Sequence, residues 1–219
     1  MTFSRRLLSL VTVCVLIAAA CCGGCRSGGA LWYKAFGPVA VPAKFTLAKV
    51  PTVVVVENYR NPAMTEFDAD RIARDVVENL KKNNTAPMID QDRLTAVREA
   101  QPNAFRDMTI PNLGKAVEAS QVIYVDLIQS NVEGDATRGI VRGKADARVR
   151  VVDTKTGNTI WPIDAQAGYP VGAEIPFTQS DDPTAANEVH NALLESLSEQ
   201  IGRLFHEWKP ETEKEGEAG

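Results

Sequence analysis

The stretch Thr52-Val53-Val54-Val55-Val56-Glu57-Asn58-Tyr59 is a β-branched run without polar alternation, which predicts a central strand covered on both faces. Thr65 followed by Asp68 matches a capping box, and Ala69, Ile72, Ala73, Val76, Val77 and Leu80 then recur at spacings of three and four. Asp70, Arg71, Arg74, Glu78 and Lys81 fall mainly on the other side, so the segment predicts an amphipathic helix. Ala86 to Ile89 reads as a short second strand. Asp90 caps a helix carrying Leu94 and Val97, and Gln101-Pro102-Asn103 breaks it. Pro111 suits the first turn of a further helix through about Ala119, and Gln121 to Ile128 reads as another deeply buried strand. This alternation of strands and helices implies a parallel core.

The pattern changes after residue 130. From 141 to 151 the odd positions are Val, Gly, Ala, Ala, Val and Val, while Arg142, Lys144, Asp146, Arg148 and Arg150 hold the even ones. Such alternation predicts a strand with one wet face. Asp153 to Asn158 reads as a hairpin loop in which Gly157 takes a positive φ. Ile160 to about Phe177 supplies the returning strand, placed at the sheet edge because Pro162 and Pro170 lack backbone donors. Asp182-Pro183 opens a last helix with Val189, Leu193, Leu197, Ile201, Leu204, Phe205 and Trp208 as its apolar stripe, and Pro210 is expected to end it. The expected fold class is α/β (α+β): a single mixed five-stranded sheet in order 2-1-3-4-5, packed with about four helices.

Composition sharpens the two ends. All four cysteines, Cys14, Cys21, Cys22 and Cys25, lie in the first 25 of 219 residues, so neither a disulfide nor a cysteine-ligated metal is expected in the folded part. Arg5 and Arg6 precede an apolar run from Leu7 to Ala20 that ends in three alanines before Cys21, the layout of an export signal. The run is short for a spanning helix, which needs about 20 apolar residues. It resembles a bacterial lipoprotein signal peptide, a resemblance that implies a diacylglyceryl group on Cys21, with Cys25 as second choice and an ordinary secretory signal as the plain alternative. Lipidation implies firm anchorage, since each buried methylene contributes about 0.8 kcal/mol. Cys22 in the following position is not aspartate. In a two-membrane bacterium the resemblance therefore favours the periplasmic face of the outer membrane.

Removing residues 1–20 takes away Arg5 and Arg6 and moves the formal charge from −4 to −6. An acidic chain of this kind argues against a nucleic-acid partner. Residues 21–50 form the expected tether and strap, with Trp32, Tyr33 and Phe36 either at the lipid interface or packed on the domain. Residues 51–209 form the expected domain, and 210–219 a charged tail too polar to order.

Three stretches carry a family resemblance: Glu57-Asn58-Tyr59-Arg60-Asn61 at the end of the first strand, Leu113 to Val125, and Val149 to Trp161 with its Thr156-Gly157-Asn158-Thr159-Ile160-Trp161 phrase. Together they resemble a group of bacterial periplasmic domains that includes the amino-terminal domain of TolB, the periplasmic domain of CsgG and the LpoB activator of a peptidoglycan synthase. The resemblance implies a 2-1-3-4-5 mixed sheet over roughly residues 50 to 208. The chain departs from CsgG in having a short, polar connection from Gly134 to Arg142, without room for barrel-forming hairpins, and from LpoB in lacking a long Pro-rich linker.

His190 and His206 are placed on the terminal helix sixteen residues apart, about 24 Å at 1.5 Å per residue, too far to share a metal. The sequence shows no H-E-x-x-H pair, nucleophile elbow or glycine-rich phosphate loop, so no catalytic residue, metal or cofactor is expected. The best-defined candidate is the stripe Arg142, Lys144, Arg148 and Arg150, a docking face for an acidic partner or an anionic envelope polymer. Its plain alternative is a solvated sheet face balanced by Asp146 and cross-strand acids. With the resemblance, these features imply a membrane-anchored lipoprotein that binds another envelope protein, as regulator or assembly factor for a complex such as peptidoglycan synthesis. The alternative is a homo-oligomeric subunit of a secretion or envelope-spanning assembly, and an envelope hydrolase ranks third.

Overall fold

The structure, a computed structural model, describes residues 39–60, 64–135, 140–165, 167–179, 182 and 184–210. The expected signal peptide, Cys21, the aromatic strap residues Trp32, Tyr33 and Phe36, and the acidic tail from residue 211 lie outside the described residues. By backbone contacts the chain divides into two units. Among the described residues, Pro42–Glu207 carries all the helices and strands; in the other unit, Val41 and Trp208 exchange backbone hydrogen bonds at 2.7 and 3.0 Å.

Strands β1 (Thr52–Glu57), β2 (Gln121–Asp135), β3 (Ile140–Asp153), β4 (Thr159–Trp161) and β5 (Tyr169–Gln179) form one mixed sheet. The helices are α1 (Glu66–Lys82), α2 (Gln91–Ala100), α3 (Pro102–Asp107), α4 (Ile110–Ala116) and α5 (Ala185–Gly202). β1 pairs with β2 in parallel, β2 with β3 antiparallel, and the far side of β3 is shared by β4 at one end and β5 along the rest. This is the expected α/β class with a mixed five-stranded sheet, and the three long central strands follow one another in the expected order, although the expected second strand is not among the five.

One face of the sheet buries Val54, Ile123, Val125, Leu127, Ala145, Ala147, Val149 and Val151 against Ile72, Val76 and Leu80 of α1 and Leu193, Leu197 and Ile201 of α5. Sheet and helix stripes match because alternate strand residues share a face while helix residues three and four apart do. The other face buries Val53, Val55, Val122 and Tyr124 under Leu94, Leu113 and Val117 from the α2–α4 segment. Among the described residues that cover lies over β1, β2 and the last residues of β3.

Several expectations are corrected. Ala86–Ile89 is not a strand but one parallel bridge, Met88 to Thr52; the chain turns at once into α2, whose Gln91 side chain donates to the Val54 carbonyl at 3.0 Å in place of a neighbouring strand. Pro102 both ends α2 and opens α3, where its missing N–H is not needed. The returning strand splits into β4 and β5. β2 runs on to Asp135 because a bulge at Ile128 shifts its phase: Leu127 faces α5 before it, whereas Ser130 and Val132 share that face after it. This change of phase interrupts the apolar pattern, so the second half of the strand reads as a loop in the sequence.

The last helix ends at Gly202, not at Pro210. Leu204 and Phe205 donate to Ile201 and Gly202 in tighter turns, and the Leu204 carbonyl accepts from the Lys44 and Phe45 amides at 2.8 and 3.0 Å. The turn drives Leu204 and Phe205 into the core, beside an aromatic group in which Trp161 stacks on Phe45 and Tyr169. His206 therefore lies beyond the helix.

Candidate functional site

The stripe predicted on β3 exists. Positions 143, 145, 147, 149 and 151 are buried and Arg142, Lys144, Arg148 and Arg150 point to the other side, where β3 extends past the cover of α2–α4. β5 adds exposed Gly172, Glu174 and Pro176 to this open half. Much of the stripe is balanced by acids at in-register positions. Arg142 pairs with Glu133, its cross-strand partner on β2, and Lys144 lies 3.7 Å from Asp146 and opposite Glu174. Gln129 donates to Asp146 as well. These exposed pairs contribute little to stability.

The end of the stripe nearest β1 is arranged differently. Glu57, Asp126 and Arg148 are register partners across β1, β2 and β3, and Tyr124 and Arg150 form the next row. Tyr124 donates to Glu57 at 2.7 Å, and the Arg150 guanidinium lies 4.9 Å from the centre of the Tyr124 ring. Burial and the Glu57 carboxylate push the Tyr124 phenol well above its ordinary range, so it stays a donor. Asp126 is only 7 % exposed; its Oδ2 lies 3.6 Å from Arg60 Nε and its Oδ1 is buried with no hydrogen-bond partner among the described residues. Arg148, opposite, donates instead to the Gly168 carbonyl at 3.4 Å.

This group sits at the carboxyl end of β1, where α1 leaves over one face of the sheet while α2–α4 return over the other. Crevices in open α/β sheets form where successive connections diverge in this way. Of the group, sequence reading found Arg148 and Arg150. Glu57, Arg60, Tyr124 and Asp126 escaped because both strands read as buried on both faces; the available signal was a lone aspartate inside Val122-Ile123-Tyr124-Val125-Asp126-Leu127.

The histidines stay apart. His190 on α5 places Nε2 3.0 Å from Asp68 Oδ1 at the start of α1, and His206 places Nε2 2.8 Å from Asn79 Oδ1 near its end. Both tie the chain's last segments to α1. Among the described residues no cluster of His, Cys, Asp or Glu could hold a metal ion, and no helix is long and apolar enough to cross a membrane.

No family model matches the sequence, and no curated protein matches it. Solved structures with some likeness include a lipoprotein, GNA1162 from Neisseria meningitidis, 11% identical with a TM-score of 0.43, covering 68% of this chain and 96% of that one. The PelC dodecamer from Paraburkholderia phytofirmans is 10% identical with a TM-score of 0.38, covering 77% and 96%. The LpoB C-terminal domain from Salmonella enterica is 15% identical with a TM-score of 0.37, covering 63% and 88%.

Proposed function

We propose that this protein is a membrane-anchored lipoprotein of the bacterial envelope whose α/β domain works as a protein-interaction module, docking another envelope protein as a regulator or assembly factor. One observation carries the reading: among the described residues no helix covers half of one sheet face, and that half bears Arg142, Lys144, Arg148 and Arg150 in a chain whose overall charge is negative. A covered sheet would have no need of such a face, and complementary charge steers a partner to it. The anchor is read from the charged, apolar and small-residue order before Cys21. The finer assignment, an envelope complex such as peptidoglycan synthesis at the periplasmic face of the outer membrane, rests on the three resembling stretches. No step of this role calls for a catalytic residue.

Crosslinking in the native host tests it. The double variant Arg148→Glu/Arg150→Glu is expected to lose the crosslinked envelope partner while the chain still folds, at a lower melting temperature because Arg150 leaves the Tyr124 ring and a carboxylate comes to face Asp126. Retention of the same partner by a folded double variant would sink the docking reading.

A further inference from the structure

We infer that the end of the open face around Asp126 is a binding site for an acidic peptide segment of the partner, held by one backbone N–H on Asp126 Oδ1 and one side-chain carboxylate between Arg60 and Arg148. The inference rests on the docking reading in that Arg148 and Arg150 belong to both.

The argument starts from the accounting of a single buried group. A carboxylate oxygen offers two acceptor sites, and buried polar atoms nearly always find donors. Asp126 Oδ1 has none among the described residues. Three cations stand near it, and each is engaged elsewhere: Arg60 reaches only the other oxygen at 3.6 Å while donating to Tyr59 at 3.0 Å, Arg148 is turned to the Gly168 carbonyl, and Arg150 lies over Tyr124. Tyr124, a neutral donor on the same strand face, is committed to Glu57 at 2.7 Å.

What a ligand must bring follows from these commitments. A plain anion, such as a phosphate, satisfies guanidiniums but offers no donor to Oδ1 and meets two carboxylates, Asp126 and Glu57. A plain cation satisfies Oδ1 but meets three guanidiniums. A group with an N–H donor beside a carboxylate answers both demands, and an aspartate or glutamate within a peptide carries that pair a few bonds apart. Because Oδ1 is buried, access requires a neighbouring side chain to swing aside, and Arg60 is free to do so. Its side chain is 56% exposed and holds Asp126 only at long range, so the movement breaks no close ion pair.

The test uses the full chain in neutral detergent micelles, with binding read from ligand NMR signals. The probes are acetyl-Gly-Gly-Asp-Gly-Gly-amide, the same peptide with asparagine in place of aspartate, and inorganic phosphate. The aspartate peptide is expected to bind at least ~10-fold more tightly than either control, the discrimination that a charge-assisted hydrogen bond supports. Asp126→Ala, which removes the acceptor, and, separately, Arg148→Gln are each expected to weaken it by ~10-fold or more on the same reasoning. Equal affinity for the aspartate and asparagine peptides, equal affinity for phosphate, or unchanged affinity in a folded Asp126→Ala chain would overturn the site. The last result would mean that water alone completes Oδ1. If Asp126→Ala does not fold, Arg148→Gln decides, since that side chain lies on the open face. A chain that ignores the peptide but loses its envelope partner on charge reversal defeats this inference and leaves the docking reading standing; partner retention on charge reversal defeats the docking reading whatever the peptide does.

Discussion

Gly114 shows how a single position can reverse a local preference. Helix propensity alone makes Ala better than Gly by about 1 kcal/mol within a helix. A Cβ at Gly114 on α4 would lie 2.4 Å from Thr154 Cγ2 and 2.7 Å from Val122 Cγ2. Thr154 is not free to yield, because its hydroxyl donates to the Ala119 and Ser120 carbonyls at 2.8 and 3.0 Å. Overpacking of this kind typically costs about 1–3 kcal/mol, which exceeds the propensity gain. Gly114→Ala is thus expected to lower unfolding stability in urea, and Gly114→Ala/Thr154→Ser, which deletes the nearer methyl and keeps the hydroxyl, to recover part of the loss. Nothing in Leu113-Gly114-Lys115 signals this, since the obstructing atoms come from β2 and the β3–β4 turn. Asp126 is the opposite case. An aspartate inside an apolar strand is visible in one dimension, but its missing partner depends on where Arg148 points.

At the level of elements, α1 was the most legible because its determinants are local. The Thr65 hydroxyl accepts from the Asp68 amide at 3.1 Å and the Asp68 carboxylate accepts from the Thr65 amide at 2.9 Å, the reciprocal pair read from the spacing. Thr65→Ala is expected to cost about 1–2 kcal/mol in thermal or urea unfolding. The structure adds His190 as a second donor toward Asp68. Burial pushes the Asp68 carboxyl up, but the Thr65 amide, His190 and the Thr65 hydroxyl together hold it below its ordinary value. A depressed carboxyl binds protons more weakly folded than unfolded, so its contribution is present above the ordinary carboxylate range and lost as pH falls through the folded value. Melting temperature should therefore drop on acidification below about pH 4, the unperturbed Asp value, and Asp68→Asn should flatten that acid limb while lowering the plateau. An acid limb unchanged by Asp68→Asn would show that other depressed carboxyls, such as Asp153 and Asp182, carry it. β2 was half legible. Its first eight residues read as a strand, but the bulge after Leu127 moved the apolar phase from odd to even positions and hid the rest.

For the whole molecule, the proposed function joins an anchor to a face. Cys21→Ser is expected to shift the protein from the membrane to the soluble fraction and to remove the lipid increment from its mature mass; unchanged fractionation and mass would point to Cys25 or to an unlipidated chain. What could be known from the order of residues was whatever neighbours a few positions apart decide: the β-branched runs, the helix caps and stripes, the hairpin turn with Gly157 at φ 76°, and hence the fold class. The end of α5 at Gly202, the reduction of Ala86–Ile89 to a bridge and the open half of the sheet were decided at longer range. Each depends on groups far apart in the chain competing for the same hydrogen bonds and the same core: Leu204 with Lys44 and Phe45, Gln91 with Val54. The same holds for Asp126, whose neighbours come from β1, β3 and Arg60, and whose register partner Arg148 is drawn to the loop at Gly168. Periodicity reports which side a residue faces; only packing determines whether anything is there to meet it.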